Sequence, residues 1–339
     1  MRRLFADIHR HDIEAAVRVA AAVGLPLLAL DAIGRLDLAV YAAFGGLAML
    51  YGHSEPAKKR VESQIVAGTG LVVTMAVAMA WSASQAPLAV LGALLVLTVI
   101  AAVTLGSAMR WIPRGEMFFV LVLLIIAAIP TKWESLPLAL AVGAGGAAFS
   151  VLLAVINGIG ALPGEEKPEG WRRRIASGYA DLDRRQHLVV LAAATLGVLA
   201  AWSLALALAL GIGHPFWAAV TVAALMPALA AKEVWRRAVH LMVGTLGGVA
   251  IAALLFSFEP GPLALIAIIV ICQAVAEIAV SRNYGVALLF FCPLAIGMSN
   301  LSRGAPWPPI LVDRVAEAAL GVAVAFLTIF AGRRILKVT

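Results

Sequence analysis

Apolar residues run along this chain in long blocks separated by short polar stretches. The pattern predicts twelve helical segments, near 14–30, 38–51, 63–82, 87–109, 116–130, 136–158, 188–211, 216–230, 238–257, 262–281, 285–299 and 311–331. A membrane-spanning helix needs about 20 apolar residues, and several of these are shorter. Basic residues provide an independent check. With the amino terminus in the cytoplasm, 22 Lys and Arg residues fall on the inner side, against Arg35, Lys132, Arg303 and Arg314 on or near the outer side. That is the bias expected of cytoplasmic loops. Omitting segment 38–51 alone would move Lys58, Lys59 and Arg60 outside and invert everything after them. The short segments are therefore expected to cross, with both termini cytoplasmic.

Composition agrees. Of 339 residues, 63% are hydrophobic and 13% charged, and the mean hydropathy is +0.98. Soluble domains are roughly half apolar and a quarter charged, so an ordinary soluble enzyme, a disordered chain and a disulfide-stapled domain are excluded. The net charge of +7 is read as topology-setting and lipid-facing rather than as a nucleic-acid footprint. Cys272 and Cys292 lie in apolar runs without metal-ligand neighbours and read as buried hydrophobes. His9 and His11 form an isolated His-x-His, too few ligands for a metal site. No phosphate loop, catalytic constellation or cofactor motif is present, so neither an enzyme nor a cofactor is expected.

The two halves resemble each other. Tyr41-Ala42-Ala43 matches Trp217-Ala218-Ala219, Arg60 matches Arg236 and Gly68-Thr69 matches Gly244-Thr245, all at an offset of 176. Ala6-Asp7-Ile8-His9-Arg10 echoes Ala180-Asp181-Leu182-Asp183-Arg184 at an offset of 174. Each half holds six spans, so the halves share one orientation, as in a parallel repeat about an axis along the membrane normal. The expected organisation is a six-span repeat over 1–160, a cytoplasmic linker over 161–187 and a second six-span repeat over 188–339. In the linker, Trp171, Ile175, Tyr179 and Leu182 fall at near-helical spacing beside Arg172, Arg173 and Arg174. This predicts a basic amphipathic helix on the inner leaflet.

The second and fifth spans of each half are read as short and broken. Segment 38–51 carries Gly45-Gly46, 216–230 follows His214-Pro215 and carries Pro227, 116–130 ends at Pro130, and 285–299 contains Pro293. Interrupted helices free backbone amides and carbonyls that lipid cannot satisfy but a ligand or water cavity can. Placed at corresponding points of two repeats, they point to a transport site between the halves. The alternative is local bilayer thinning around helices packed through small residues. The glycine clusters at 143–146 and 244–248 read as such packing.

Ionisable residues within spans are the candidates for coupling or gating. Asp313 and Glu317 share one helix face, and Arg314 can reach Glu317. Burial raises a carboxyl's proton affinity and an arginine lowers it. That balance suits a proton-coupled carrier, and equally a static helix cap. Glu277 near the end of the tenth span can pair with Arg282 or Arg110, or act as a gate. Arg110, Arg114, Arg236, Arg237 and Arg282 fall at the inner mouth, where they can gather anions or simply set topology. Tyr41, Trp217 and Tyr284 are candidate stacking partners for an aromatic ligand, the first two being alternatively interfacial belt residues, and Thr221 is a candidate donor.

Phe216-Trp217-Ala218-Ala219-Val220-Thr221-Val222, then Pro227, Arg236-Arg237 and Gly244-Thr245-Leu246-Gly247, resembles the second-half signature of the fusaric acid resistance and aromatic acid exporter family. Arg282-Asn283-Tyr284 is similar to its arginine-asparagine-tyrosine element, and the first half carries a weaker copy. His240 replaces the basic residue common before the glycine-threonine pair, and the linker is shorter than the cytoplasmic domains of many members. The resemblance implies an inner-membrane exporter of small aromatic or other weak-acid anions. Related plant channels pair two six-span subunits, so it also implies a rival: a passive organic-anion channel built as a fused dimer. The expectation is thus an all-helical secondary transporter in the bacterial inner membrane, driven by protons. Its partners are a small organic anion and the bilayer, with oligomeric state open. A channel or a non-transporting scaffold stands as the alternative.

Overall fold

The computed structural model describes residues 10–52, 55–111, 116–158, 170–208, 216–226, 234–280, 282–303 and 307–336. Among them are thirteen α-helices: α1 (Arg10–Ala32), α2 (Ala39–Gly46), α3 (Ala57–Ser84), α4 (Leu88–Met109), α5 (Met117–Ala127), α6 (Leu136–Gly158), α7 (Trp171–Ala180), α8 (Arg184–Ala207), α9 (Trp217–Leu225), α10 (Val234–Phe256), α11 (Pro262–Val280), α12 (Tyr284–Arg303) and α13 (Trp307–Leu336). Short 3-10 turns flank α2 at Leu36–Leu38 and Leu47–Leu50, and another precedes α6 at Trp133–Ser135. Among the described residues, nine helices are long and apolar enough to cross a membrane.

Local chemistry sets the helix ends. Pro56 and Pro87 precede α3 and α4, where a missing N–H costs nothing because the first amides of a helix have no intrahelical partner. Asp183 caps α8 by accepting from the amides of Arg185 and Gln186 at 3.0 and 3.2 Å. Left-handed residues, Gln85 (φ 53°) and Arg110 (φ 54°), close α3 and α4.

α2, α5 and α9 are the short helices. Eight to eleven residues rise only about 12–17 Å, against a hydrocarbon core of about 30 Å. They escape the mismatch by not facing lipid. Every residue of α2 and α9 is buried, as is α5 from Phe119 onward except Leu121. One cluster of buried apolar side chains runs through all three, including Tyr41, Phe44, Phe119, Ile125, Trp217 and Leu225. Long helices enclose them: α6 and α1 pack on α2, α3 and α4 on α5, and α13 and α8 on α9. Further contacts join the amino-terminal helices to the carboxy-terminal ones, α1 to α11, α4 to α8, α2 to α12 and α5 to α9.

The eleventh segment departs from the sequence expectation. It is not short: α12 runs unbroken for 20 residues with Pro293 inside it. The helix is held from one side by close backbone packing. An added Cβ at Gly244 would stand 2.5 Å from the Gly285 carbonyl oxygen, and one at Gly248 2.7 Å from that of Leu288. A proline in an apolar helix is tolerated when neighbouring helices support the freed backbone. Pro227 and the turn at 162–168 lie outside the described residues.

The linker helix differs too. α7 docks on α4 rather than only lying on a membrane surface: Gly178 approaches the Ala108 carbonyl so closely that no side chain would fit. Arg172 and Arg173 are exposed, but Arg174 turns inward. It pairs with Glu55 and donates to the carbonyl oxygens of Lys59 (3.2 Å) and Met109 (2.9 Å) and to Ser63 Oγ (3.1 Å).

Candidate functional site

α9 and α13 meet through small residues, which brings polar groups together inside the protein. Arg314, Glu317 and Gly321 recur at three- and four-residue spacing, so they share the face of α13 that meets α9. Gly321 lies against the Ala218 carbonyl and Thr221. Glu317, which is 0% exposed, accepts at Oε2 from the Ala218 amide at 3.0 Å. That amide is one of the unpaired donors at the start of α9. The Glu317 carboxylate therefore caps α9 from a neighbouring helix, where the helix dipole favours negative charge.

One turn away, the Arg314 guanidinium carbon sits 4.1 Å above the Trp217 ring, a cation–π geometry. Phe216 supports that ring at 4.9 Å between centroids. Arg314 is 7% and Asp313 4% exposed. Arg314 Nε and Nη1, Glu317 Oε1 and Trp217 Nε1 have no hydrogen-bond partner among the described residues. A buried charge with open donors is costly unless something fills them. The arrangement offers two guanidinium N–H groups and an indole N–H to an acceptor, beside an aromatic face and a carboxyl.

A second arginine–aromatic pair stands nearby: the Arg237 guanidinium carbon lies 4.8 Å over the Tyr284 ring, and Tyr284 is within Coulombic reach of both Arg237 and Arg314. Trp217, Thr221, Asp313, Arg314, Glu317, Arg237 and Tyr284 thus form one neighbourhood in the carboxy-terminal half. Trp217 and Tyr41 are 4% and 6% exposed, so both are packed inside the protein. Tyr41 lies on α2, its carbonyl against Gly143 of α6, and is not in this group.

Two of the remaining basic candidates have acidic partners. Arg282 pairs with Asp12 of α1. Arg110 pairs with Asp181, just before α8, at 3.0 Å. The first ties the two ends of the chain, and the second ties the end of α4 to the turn before α8. The expected partners of Glu277 are therefore otherwise engaged, and Glu277 lies instead within Coulombic reach of Arg18 on α1. Arg236 is exposed, and Arg114 lies outside the described residues. Sequence reasoning missed Glu116, buried beside Tyr51 and Trp111, and the Arg174–Glu55 pair. Glu116 reads only as the first residue of segment 116–130, and Arg174 only as one of three basic residues on the linker helix. Among the described residues no group of three or more His, Cys, Asp or Glu side chains could hold a metal ion. A groove lined by Gly92, Val96, Trp202 and Ser203 opens between α4 and α8, away from this neighbourhood.

These features define a multi-pass helical membrane protein with a buried, partly unsatisfied polar site. Residues 189–328, about two fifths of the chain, match the family described as fusaric acid resistance protein-like, a family associated with efflux transport. The match contains every member of the α9–α13 neighbourhood. The chain is also similar to an uncharacterised membrane protein, YvaC, of Bacillus subtilis (strain 168), at 27% identity over 122 residues. That segment is 36% of this chain and 19% of the relative's length. No solved structure matches the chain.

Proposed function

We propose that the protein exports a small organic anion, an aromatic or other weak acid, across the bacterial inner membrane, and that a proton gradient drives it. The observation that carries this reading is the open guanidinium of Arg314, buried over Trp217 and next to Glu317. An anion would satisfy both unpartnered N–H groups, while the Trp217 ring and Nε1–H suit a planar carboxylate. Glu317 can hold a proton or give it up, and so exchange charge with the bound anion.

Two six-span repeats fit this scheme, and paired contacts favour them. The contact of α1 with α11 has its counterpart in α8 with α4, and that of α2 with α12 in α9 with α5. Gly146 against the Ala42 carbonyl recurs as Gly321 against the Ala218 carbonyl. The Asp12–Arg282 and Asp181–Arg110 pairs each join the start of one half's first helix to the end of the other half's fourth. On this reading the short helices lie at the repeat axis, and the basic-residue bias favours cytoplasmic termini.

Equilibrium binding of benzoate to purified protein tests the site. Removing one partner of a buried charge pair costs about 2–5 kcal/mol. Arg314→Gln should therefore weaken binding more than tenfold, whereas equal affinity in the variant would remove the site. A non-transporting scaffold is the second reading, favoured by the complete burial of α2 and α9. It expects no benzoate binding at all.

A further inference from the structure

Four consecutive stretches of the amino-terminal half each supply one buried polar side chain. Tyr51 follows the 3-10 turn after α2, Gln64 lies on α3, Trp111 follows α4, and Glu116 stands just ahead of α5. Tyr51, Gln64 and Trp111 are 0% exposed and Glu116 is 1%. Tyr51 Oη, Gln64 Oε1, Trp111 Nε1 and Glu116 Oε1 all have no hydrogen-bond partner among the described residues. The rings form a tight wall. Tyr51 is 4.8 Å from Trp111, edge-on, and 6.1 Å from Phe119, and Trp111 stacks on Phe119 at 6.5 Å. Glu116 is within Coulombic reach of Tyr51.

A carboxylate shut into such a wall needs a cation, a set of donors or a proton. Of the charged groups on the surrounding elements, Glu55 and Arg110 have other engagements, and Arg114, two residues ahead of Glu116, lies outside the described residues. α3 carries Lys58, Lys59, Arg60 and Glu62 near its start. Before it, Glu55 is held by Arg174 of α7. Arg110 at the end of α4 is bound to Asp181, and neither α5 nor α9 contains a charged residue. A proton also needs no cavity, unlike any larger ligand.

We propose that Glu116 is a proton-binding site of the amino-terminal half, with Tyr51 and Trp111 as the donors that receive its carboxylate when the proton leaves. While the wall excludes water, the carboxyl holds its proton. When water reaches it, the carboxyl O–H bond breaks, the proton passes to water, and Tyr51 Oη–H and Trp111 Nε1–H turn to the carboxylate oxygens. The site is separate from Glu317 and does not depend on what the protein carries.

Infrared spectroscopy of the protein reconstituted in phosphatidylcholine vesicles tests it. At neutral pH, the carboxylic C=O stretch of Glu116 should be present in the wild type, absent from Glu116→Gln and retained in Glu317→Gln. A spectrum unchanged by Glu116→Gln overturns the proposal. Tyr51→Phe keeps the ring and removes one donor, which serves if the glutamine variant does not fold. The band should then persist to higher pH than in the wild type, and an unmoved titration contradicts the assigned role of Tyr51.

Discussion

Replacing Gly321 by alanine places a methyl carbon 2.5 Å from the Ala218 carbonyl oxygen and 2.6 Å from Thr221 Cβ. An ordinary close C···O contact is about 3.3 Å, so α9 and α13 must part by about 0.8 Å at this level. The obstacle is backbone, which cannot rotate away. The same displacement stretches the Glu317 Oε2 to Ala218 N hydrogen bond, now 3.0 Å, beyond the usual limit of about 3.5 Å. Overpacking costs about 1–3 kcal/mol, and an orphaned buried donor about 1–3 kcal/mol more. Gly145→Ala is the control. Gly145 is exposed on α6 with nothing within 4 Å of the added carbon, and alanine in a helix gains about 0.5–1 kcal/mol over glycine. Thermal unfolding in detergent, followed by tryptophan fluorescence, should show Gly321→Ala melting several degrees below the wild type and Gly145→Ala at or above it. Equal midpoints for the two variants would refute the close approach of α9 and α13.

Other substitutions separate structural from superficial charges. Arg174→Ala strands Glu55 and frees two carbonyls; breaking a buried pair costs about 3–5 kcal/mol, less here because both side chains keep 16% exposure, so about 2 kcal/mol of stability should be lost and α7 should become sensitive to trypsin. Arg110→Ala breaks a pair whose side chains are 72% and 63% exposed, and its melting point should stay at the wild-type value, since such pairs contribute under about 1 kcal/mol. Asp183→Ala removes the α8 cap and should cost about 1 kcal/mol in the same assay.

Much of the helical framework was legible because burial in lipid demands unbroken apolar runs, and these are local. Segments 87–109 and 136–158 anticipate α4 and α6 within a residue or two. Local reading failed where an outcome depends on a partner helix. Pro293 looked like a break, but support from α10 lets α12 continue through it. Arg174 looked like its two exposed neighbours, and only the position of α4 turns it inward. Asp313, Arg314 and Glu317 were visible as charges inside a span. That Arg314 covers Trp217 and Glu317 caps α9 follows from packing between residues about a hundred positions apart, which no spacing rule reveals. Glu116 carried no signal beyond being an acid next to an apolar run.

The central claim is that the α9–α13 site moves an organic anion with a proton. Benzoate flux into proteoliposomes under an imposed pH gradient, with membrane voltage recorded, tests it most directly. Glutamine at position 317 keeps the acceptor for the Ala218 amide and loses only the titrating group. The account predicts flux that follows the pH gradient in the wild type and disappears in Glu317→Gln. A benzoate current that runs down its own gradient and is indifferent to the substitution would contradict coupling at Glu317, and no flux under any gradient would contradict transport itself.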